Sequence, residues 1–247
     1  MRNYYGNLCT EMYEILHPEA PKDELEFYFS YAEKNQKILE PLCGSGRFLV
    51  PFLNREYNIT GIDLSAEMLG KLTTKATNAN VILTSLEDYN VKEKFDYIFI
   101  PSGSVSLFTD MNVCRKIFNK IYQLLSSGGK FVFSVVTVAN ICPDDNDYKV
   151  SASVKTKEGF DLILKIKNNY DPVNKIQYSP SIYELYDNGK LIQSEKMDFQ
   201  IRLYELEELE HILKEIGFKK CTVYSSFSKD IALDNTEEIF LYECERN

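Results

Sequence analysis

The spacing of apolar positions along this chain changes twice and marks off three kinds of segment. In residues 1–35, Tyr4, Leu8, Met12, Ile15 and Leu16 recur at intervals of mostly three and four. Leu25, Phe27, Tyr28, Phe29 and Tyr31 follow after a break at His17-Pro18 and Pro21. That period predicts two amphipathic helices forming an N-terminal cover. From residue 36 to 140, short apolar runs alternate with helical patterns. The runs are Ile38–Leu42, Tyr57–Asp63, Val81–Leu83, Phe95–Pro101 and Lys130–Val135. Such alternation predicts parallel strands with helices on both faces, and the nearly unbroken run at Phe95 suits a central strand. Between the last two runs, Val113, Ile117, Ile121, Leu124 and Leu125 give one apolar face to a helix over 110–127, stopped by Gly128-Gly129.

The period then becomes two. Phe160, Leu162, Leu164 and Ile166 share a face, and turn signals at Glu158-Gly159, Asp171-Pro172 and Asn188-Gly189 separate four strands near 149–156, 160–169, 176–187 and 190–202. Residues 141–202 therefore read as an antiparallel β insertion. Helical spacing returns over 204–213 and ends at Gly217, ahead of strands at 218–223 and within 231–244. The acids Glu205, Glu207, Glu208 and Glu210 read as a solvated face of that helix, with His211 at the surface.

The candidate chemistry is concentrated in Lys37–Phe52, KILEPLCGSGRFLVPF. An apolar run, Gly44-Ser45-Gly46 and a second apolar run spell strand, tight turn, helix, an arrangement that brings backbone close to a ligand. The helix would also aim its N-terminal N–H groups over that turn. A dinucleotide fingerprint would require a third glycine where Leu49 stands, so an NAD-dependent oxidoreductase fails on the glycine count. Instead Glu40 precedes Gly44 by four residues. Asp63, at the end of the second strand, suits vicinal ribose hydroxyls, with helix capping as its other reading; Ser65 could cap the helix instead.

The pattern E-P-L-C-G-S-G-R resembles motif I of the class I S-adenosylmethionine (SAM)-dependent methyltransferases. Ile-Asp-Leu-Ser-Ala-Glu-Met-Leu resembles the motif that follows it, and Leu-Leu-Ser-Ser-Gly-Gly-Lys-Phe-Val-Phe the later helix–Gly-Gly–strand step. The resemblance spans roughly residues 36–138. It implies an α/β fold, a Rossmann-like seven-stranded mostly parallel sheet in which 36–140 and 203–247 form one domain. It also implies SAM as cofactor and S-adenosylhomocysteine (SAH) as product. Carried over position by position, the cofactor would meet Tyr5, Glu40, Cys43, Gly44, Gly46, Asp63, Leu64, Met68, Leu86, Glu87 and Pro101. Ser85 stands where relatives place an aspartate for adenine, so Glu87 or Asp88 is an alternative polar partner. The loop Pro101–Ser106 lacks the Asn/Asp-Pro-Pro-Tyr sequence of enzymes that methylate base or glutamine amino groups. By analogy, 141–202 would be a substrate lid or a dimer module, the acceptor a small molecule and the chain a monomer or homodimer. An oxygen acceptor would want a base, for which His17, Tyr5, Tyr13 and Glu87 are candidates, whereas an amine needs none. A binder of SAM or SAH without transfer activity would carry the same motifs.

Composition narrows the remaining classes. The 247 residues carry a net charge of −9, which disfavours a nucleic-acid backbone as partner. Six scattered cysteines and two histidines give no metal-ligand spacing or disulfide framework. No signal core or membrane-length apolar run is present, so a cytoplasmic protein is expected.

Overall fold

The computed structural model describes residues 3–247. Two helices, α1 (Asn7–Leu16) and α2 (Lys22–Phe29), precede β1 (Lys37–Pro41), α3 (Leu49–Asn54), β2 (Asn58–Asp63) and α4 (Ala66–Lys75). Then come β3 (Asn80–Leu83), β4 (Phe95–Ile100), α5 (Met111–Leu124) and β5 (Leu125–Val136). Residues 149–202 hold β6 (Lys149–Lys155), β7 (Asp161–Ile166), β8 (Asn169–Asp171), β9 (Ile176–Tyr178), β10 (Ser181–Asp187), β11 (Lys190–Met197) and β12 (Gln200–Arg202). The chain closes with α6 (Glu208–Ile216), β13 (Phe218–Tyr224) and β14 (Ile239–Arg246). Among the described residues no helix is long and apolar enough to cross a membrane.

The main sheet has seven strands in the order β13-β14-β5-β4-β1-β2-β3. Strands β1 to β5 run parallel, and β14 is antiparallel to both its neighbours. The order reverses between β1 and β4, which places a crevice outside their carboxyl ends. Cover on both faces explains the apolar runs: Ile98, Phe99, Ile100, Val132 and Phe133 are fully buried. On one face, α2 lays Tyr28 5.2 Å from Phe99 and Phe29 4.4 Å from Phe52, ring centre to ring centre. On the other, α5 and α6 bury Ile117, Phe118, Ile121, Leu209 and Leu213.

At Gly61 in β2 a methyl group would stand 2.4 Å from Leu49 Cδ1 and 2.8 Å from Cys43 Sγ. Gly61→Ala is expected to lower stability by about 1–3 kcal/mol, because a packed interior resists added volume. A urea or thermal melt measures it; an unchanged midpoint would show that α3 shifts freely.

Four sequence expectations need correction. Gly128-Gly129 does not stop the helix: α5 ends at Leu124 and β5 begins at Leu125. Phe95 pairs with Leu125 but Tyr97 pairs with Lys130, so the glycines form a bulge inside the strand, with Gly128 at φ +74°. The last helix starts at Glu208 rather than 204, because Glu207 adopts φ +74° and caps it reciprocally with Glu210. Its acids are not all a solvated face: Glu208 accepts from Lys175 and lies 3.5 Å from Arg202, and Glu210 accepts from Tyr242 Oη at 3.2 Å. Finally, the four strands expected in 149–202 divide at Asn168, Ser179-Pro180 and Asp198-Phe199 into two small sheets, β11-β10-β7-β6 and β12-β9-β8.

Helix α1 bridges the first of these sheets and the main one. Leu8, Cys9 and Met12 pack on Leu162, Tyr183 and Met197. The Glu195 carboxylate of β11 accepts the Leu8 and Cys9 N–H groups at 3.0 and 3.1 Å, which satisfies a helix start whose own cap residue, Gly6, offers no side chain. Lys71 and Lys75 of α4 pair with Glu11 and Glu14 at 2.6 and 2.7 Å.

Candidate functional site

A cavity of about 520 Å³ opens at the carboxyl ends of β1, β2, β3 and β4, beneath α1. Its floor is the turn Leu42–Gly46, which needs left-handed backbone at Leu42 (φ +57°), Gly44 (+53°) and Gly46 (+82°). Asp63 locks this turn to the neighbouring strand. One carboxylate oxygen accepts the Gly44 N–H at 2.8 Å and the other the Ser65 N–H at 2.8 Å. Ser65 then caps α4, accepting from the Met68 N–H at 3.0 Å, and donates to the Tyr5 carbonyl at 2.7 Å. Asp63 thus ties the loop, while Ser65 performs the helix capping.

Glu40 lies beside that turn and is 2 % exposed. Its Oε2 has no hydrogen-bond partner. Burial first, and then the Asp63 carboxylate, push its carboxyl well above the usual range, opposed by Arg47. Burial likewise raises Asp63, less the pull of its N–H partners. An acid left unpaired at a cavity wall is costly unless a ligand completes it.

Of the residues expected at a cofactor, Tyr5, Glu40, Cys43, Gly44, Asp63, Leu64, Met68, Leu86, Glu87 and Pro101 line this cavity. Gly46 does not; a methyl there would meet Leu72 Cγ at 2.7 Å, so it serves the turn and its packing on α4. At Gly44 nothing lies within 4 Å of a methyl position, and the space above it is open cavity. Ser85 and Glu87 both line the cavity and Asp88 does not; the Ser85 hydroxyl donates to Asp88 Oδ2 at 2.7 Å and accepts the Asp88 N–H at 3.0 Å. The expected helix dipole over the loop is not realised in that form: α3 begins only at Leu49, is six residues long, and contains Pro51.

Tyr13 lines the cavity, whereas His17 does not. Burial raises the phenols of Tyr5 and Tyr13, and burial and Arg47 lower His17.

Several wall residues escaped the sequence reading, among them Asn3, Arg47, Phe108, Asp110 and Val113. Asn3 binds the Leu107 and Gln200 carbonyls at 3.2 and 2.8 Å and accepts the Gln200 N–H at 2.9 Å. Arg47 donates to Ser102 Oγ, and its buried Nε has no partner. Ser102 sits at φ +56° and gives its N–H to Glu24 Oε1 at 2.7 Å; Glu24 is itself 5 % exposed. Gly103 gives its N–H to Ser134 Oγ at 2.7 Å. The loop after β4 is thereby held from both sides. A signal for Glu24 existed: it shares a helix face with Phe27 and Tyr28 in an otherwise aromatic stretch. No lining residue comes from 149–202.

Comparison with known proteins agrees with this geometry. Residues 38–129 match the protein family described as a methyltransferase domain. A protein named as a methyltransferase in Geobacillus sp. (strain WCH70) is 23% identical over 241 residues, covering 92% of this chain and 94% of that one. The crystal structure of a SAM-dependent methyltransferase from Clostridium acetobutylicum superposes with a TM-score of 0.77 at 17% identity, covering 96% of each chain. SAM-bound CalS10, an amino pentose methyltransferase from Micromonospora echinaspora, gives 0.67 at 14% identity over the whole of both chains. Residues 38–129 therefore match the methyltransferase-domain family, within a chain that shares the Rossmann-like fold of solved SAM-dependent methyltransferases.

Proposed function

We propose that this chain is a SAM-dependent methyltransferase acting on a small-molecule acceptor. The observation that carries the reading is the buried Glu40 carboxylate, with Oε2 unpartnered, beside the open space over Gly44. A ligand with a positive charge near that oxygen and a sugar near Asp63 satisfies both. Each Asp63 oxygen already accepts one N–H and retains a lone pair for a ribose hydroxyl. Met68 and Leu86 supply apolar walls for the adenine, with Glu87 at its polar edge.

When bound, SAM supplies a methyl group already activated by its sulfonium. The chain's part is to hold donor and acceptor in line and to exclude water. Residues 3–5 and α1 form the roof, fixed to α4 through Ser65–Tyr5 and through Tyr4 Oη to Glu67 at 2.6 Å. Acceptor choice falls to the walls at Asn3, Tyr5, Leu107, Phe108 and Val113, while the β insertion supports α1 from behind. Of the four candidate bases, burial holds Tyr5 and Tyr13 protonated, His17 stands outside the cavity, and Glu87, which lines it, is taken up at the adenine's polar edge. This favours an acceptor atom that arrives unprotonated, such as an amine nitrogen.

The test is transfer of labelled methyl from SAM to amines, phenols and carboxylates, alongside thermal melts with SAH. A melting temperature raised by SAH and label moving to an amine are expected. A flat melt at millimolar SAH would refute cofactor binding; label moving only to hydroxyls would overturn the acceptor class alone.

A further inference from the structure

Strands β13 and β14 form the antiparallel pair at one edge of the main sheet, and Cys221 stands directly opposite Cys244. Cross-strand partners point to the same face, with Cβ atoms about 4.5–5.5 Å apart, close to the separation a disulfide spans. Here the two sulfurs are 3.4 Å apart, in contact but not bonded. Cys244 is fully buried, and Cys221, on the outermost strand, is half-buried. Three of the other cysteines face other partners: Cys142, half-buried like Cys221, has its Sγ 3.7 Å from the Asn140 carbonyl. Cys9 Sγ faces Met197 Sδ at 3.6 Å, and Cys114 Sγ faces Tyr204 Oη at 3.7 Å.

We propose that Cys221 and Cys244 are a redox modification site, oxidised to an intrachain disulfide by exchange with a low-molecular-weight disulfide of the glutathione class. The Cys221 thiolate, the reachable member, attacks one sulfur of the small disulfide and expels the first small thiolate. Cys244 then gives up its proton to solvent, and its thiolate attacks the Cys221 sulfur, forming the protein S–S bond and expelling the second small thiolate. The protein's two thiols are oxidised, the small disulfide is reduced to two thiols, and the released protons reside on them. Burial raises the Cys244 thiol, so the second step is the slow one. The bond would clip the two strands across the 23-residue separation between the cysteines.

The fully reduced chain is incubated with oxidised glutathione, quenched with an alkylating reagent and measured by intact mass and non-reducing peptide mapping. Alkylatable thiols are expected to fall from six to four, with one cross-linked peptide pair joining Cys221 to Cys244. The oxidised chain is expected to melt about 5 °C higher than the reduced one. Cys244→Ser should halt the reaction at a glutathione adduct on Cys221, and Cys221→Ser should leave Cys244 unmodified. Should Cys244→Ser fail to fold, Cys221→Ser on the outermost strand carries the test. Retention of six thiols at the most oxidising ratio, or a bridge joining any other two cysteines, overturns the proposal.

Discussion

Asp63→Ala is expected to abolish the thermal stabilisation that SAH gives the wild-type chain. At a ligand concentration a hundredfold above Kd that stabilisation is about 2.7 kcal/mol, or roughly 5–10 °C for a chain of this size. The loss has two sources. On the proposed cofactor reading the ribose loses its acceptor, and the turn loses the carboxylate that accepts the Gly44 and Ser65 N–H groups at 2.8 Å each. The ligand-free variant should therefore also melt lower, by about 1–3 kcal/mol for amides left without partners. Asp63→Asn separates the sources, since its one carbonyl oxygen satisfies one N–H while its amide opposes the other. An alanine variant that keeps the full SAH shift would remove Asp63 from the binding site and reduce it to a loop tie.

The parts of this site that sequence makes readable are those whose signal is local. Glu40 and Asp63 each sit at a strand end followed by turn residues, Gly44 lies in the first of those turns, and apolar runs fix where the strands stop. Long-range contacts decide the rest. Glu24 enters the network because α2 buries Tyr28 against Phe99, and nothing near residue 24 names Ser102 as its partner. Arg47 was visible beside the glycines, but its free Nε depends on Ser102 capturing another of its nitrogens. Gly128-Gly129 looks like a helix stop in isolation; pairing of Leu125 with Phe95 turns it into a strand bulge. Gly46 satisfies the motif, yet Leu72 fills the space beside it and keeps it from the cavity. The β insertion was legible by period alone, whereas its task, bracing α1 through Glu195, rests on contacts 186 and 187 residues apart in the chain.

Glu40 and Arg47 together predict which end of the ligand is read most strictly. Both present unpartnered buried atoms at the same cavity, of opposite charge, and they are not paired with each other. Their natural complement is a zwitterion, the amino-acid end of SAH, with its ammonium on Glu40 and its carboxylate on Arg47. Two charge-assisted hydrogen bonds at about 1.5–3 kcal/mol each predict that SAH binds at least ~100-fold tighter than 5′-methylthioadenosine, which lacks that end. Glu40→Gln and Arg47→Met should each weaken SAH about 10–100-fold and leave 5′-methylthioadenosine unchanged, as calorimetry would measure. Equal weakening of both ligands would mean that Arg47 acts only by holding the loop at Ser102. Glu40→Gln should also raise the melting temperature of the ligand-free chain at neutral pH, because a neutral amide, unlike a buried carboxyl, need not take up a proton on folding. The pH dependence has the same origin. Burial raises the carboxyls of Glu40 and Asp63 in the folded chain, so the folded state holds their protons more firmly than the unfolded state does. Ligand-free stability from these groups therefore declines as pH rises from the ordinary carboxylate range through their raised folded values. In Glu40→Gln that decline should be shallower, and with SAH bound it should flatten in the wild type, as the ligand's ammonium takes the place of the proton.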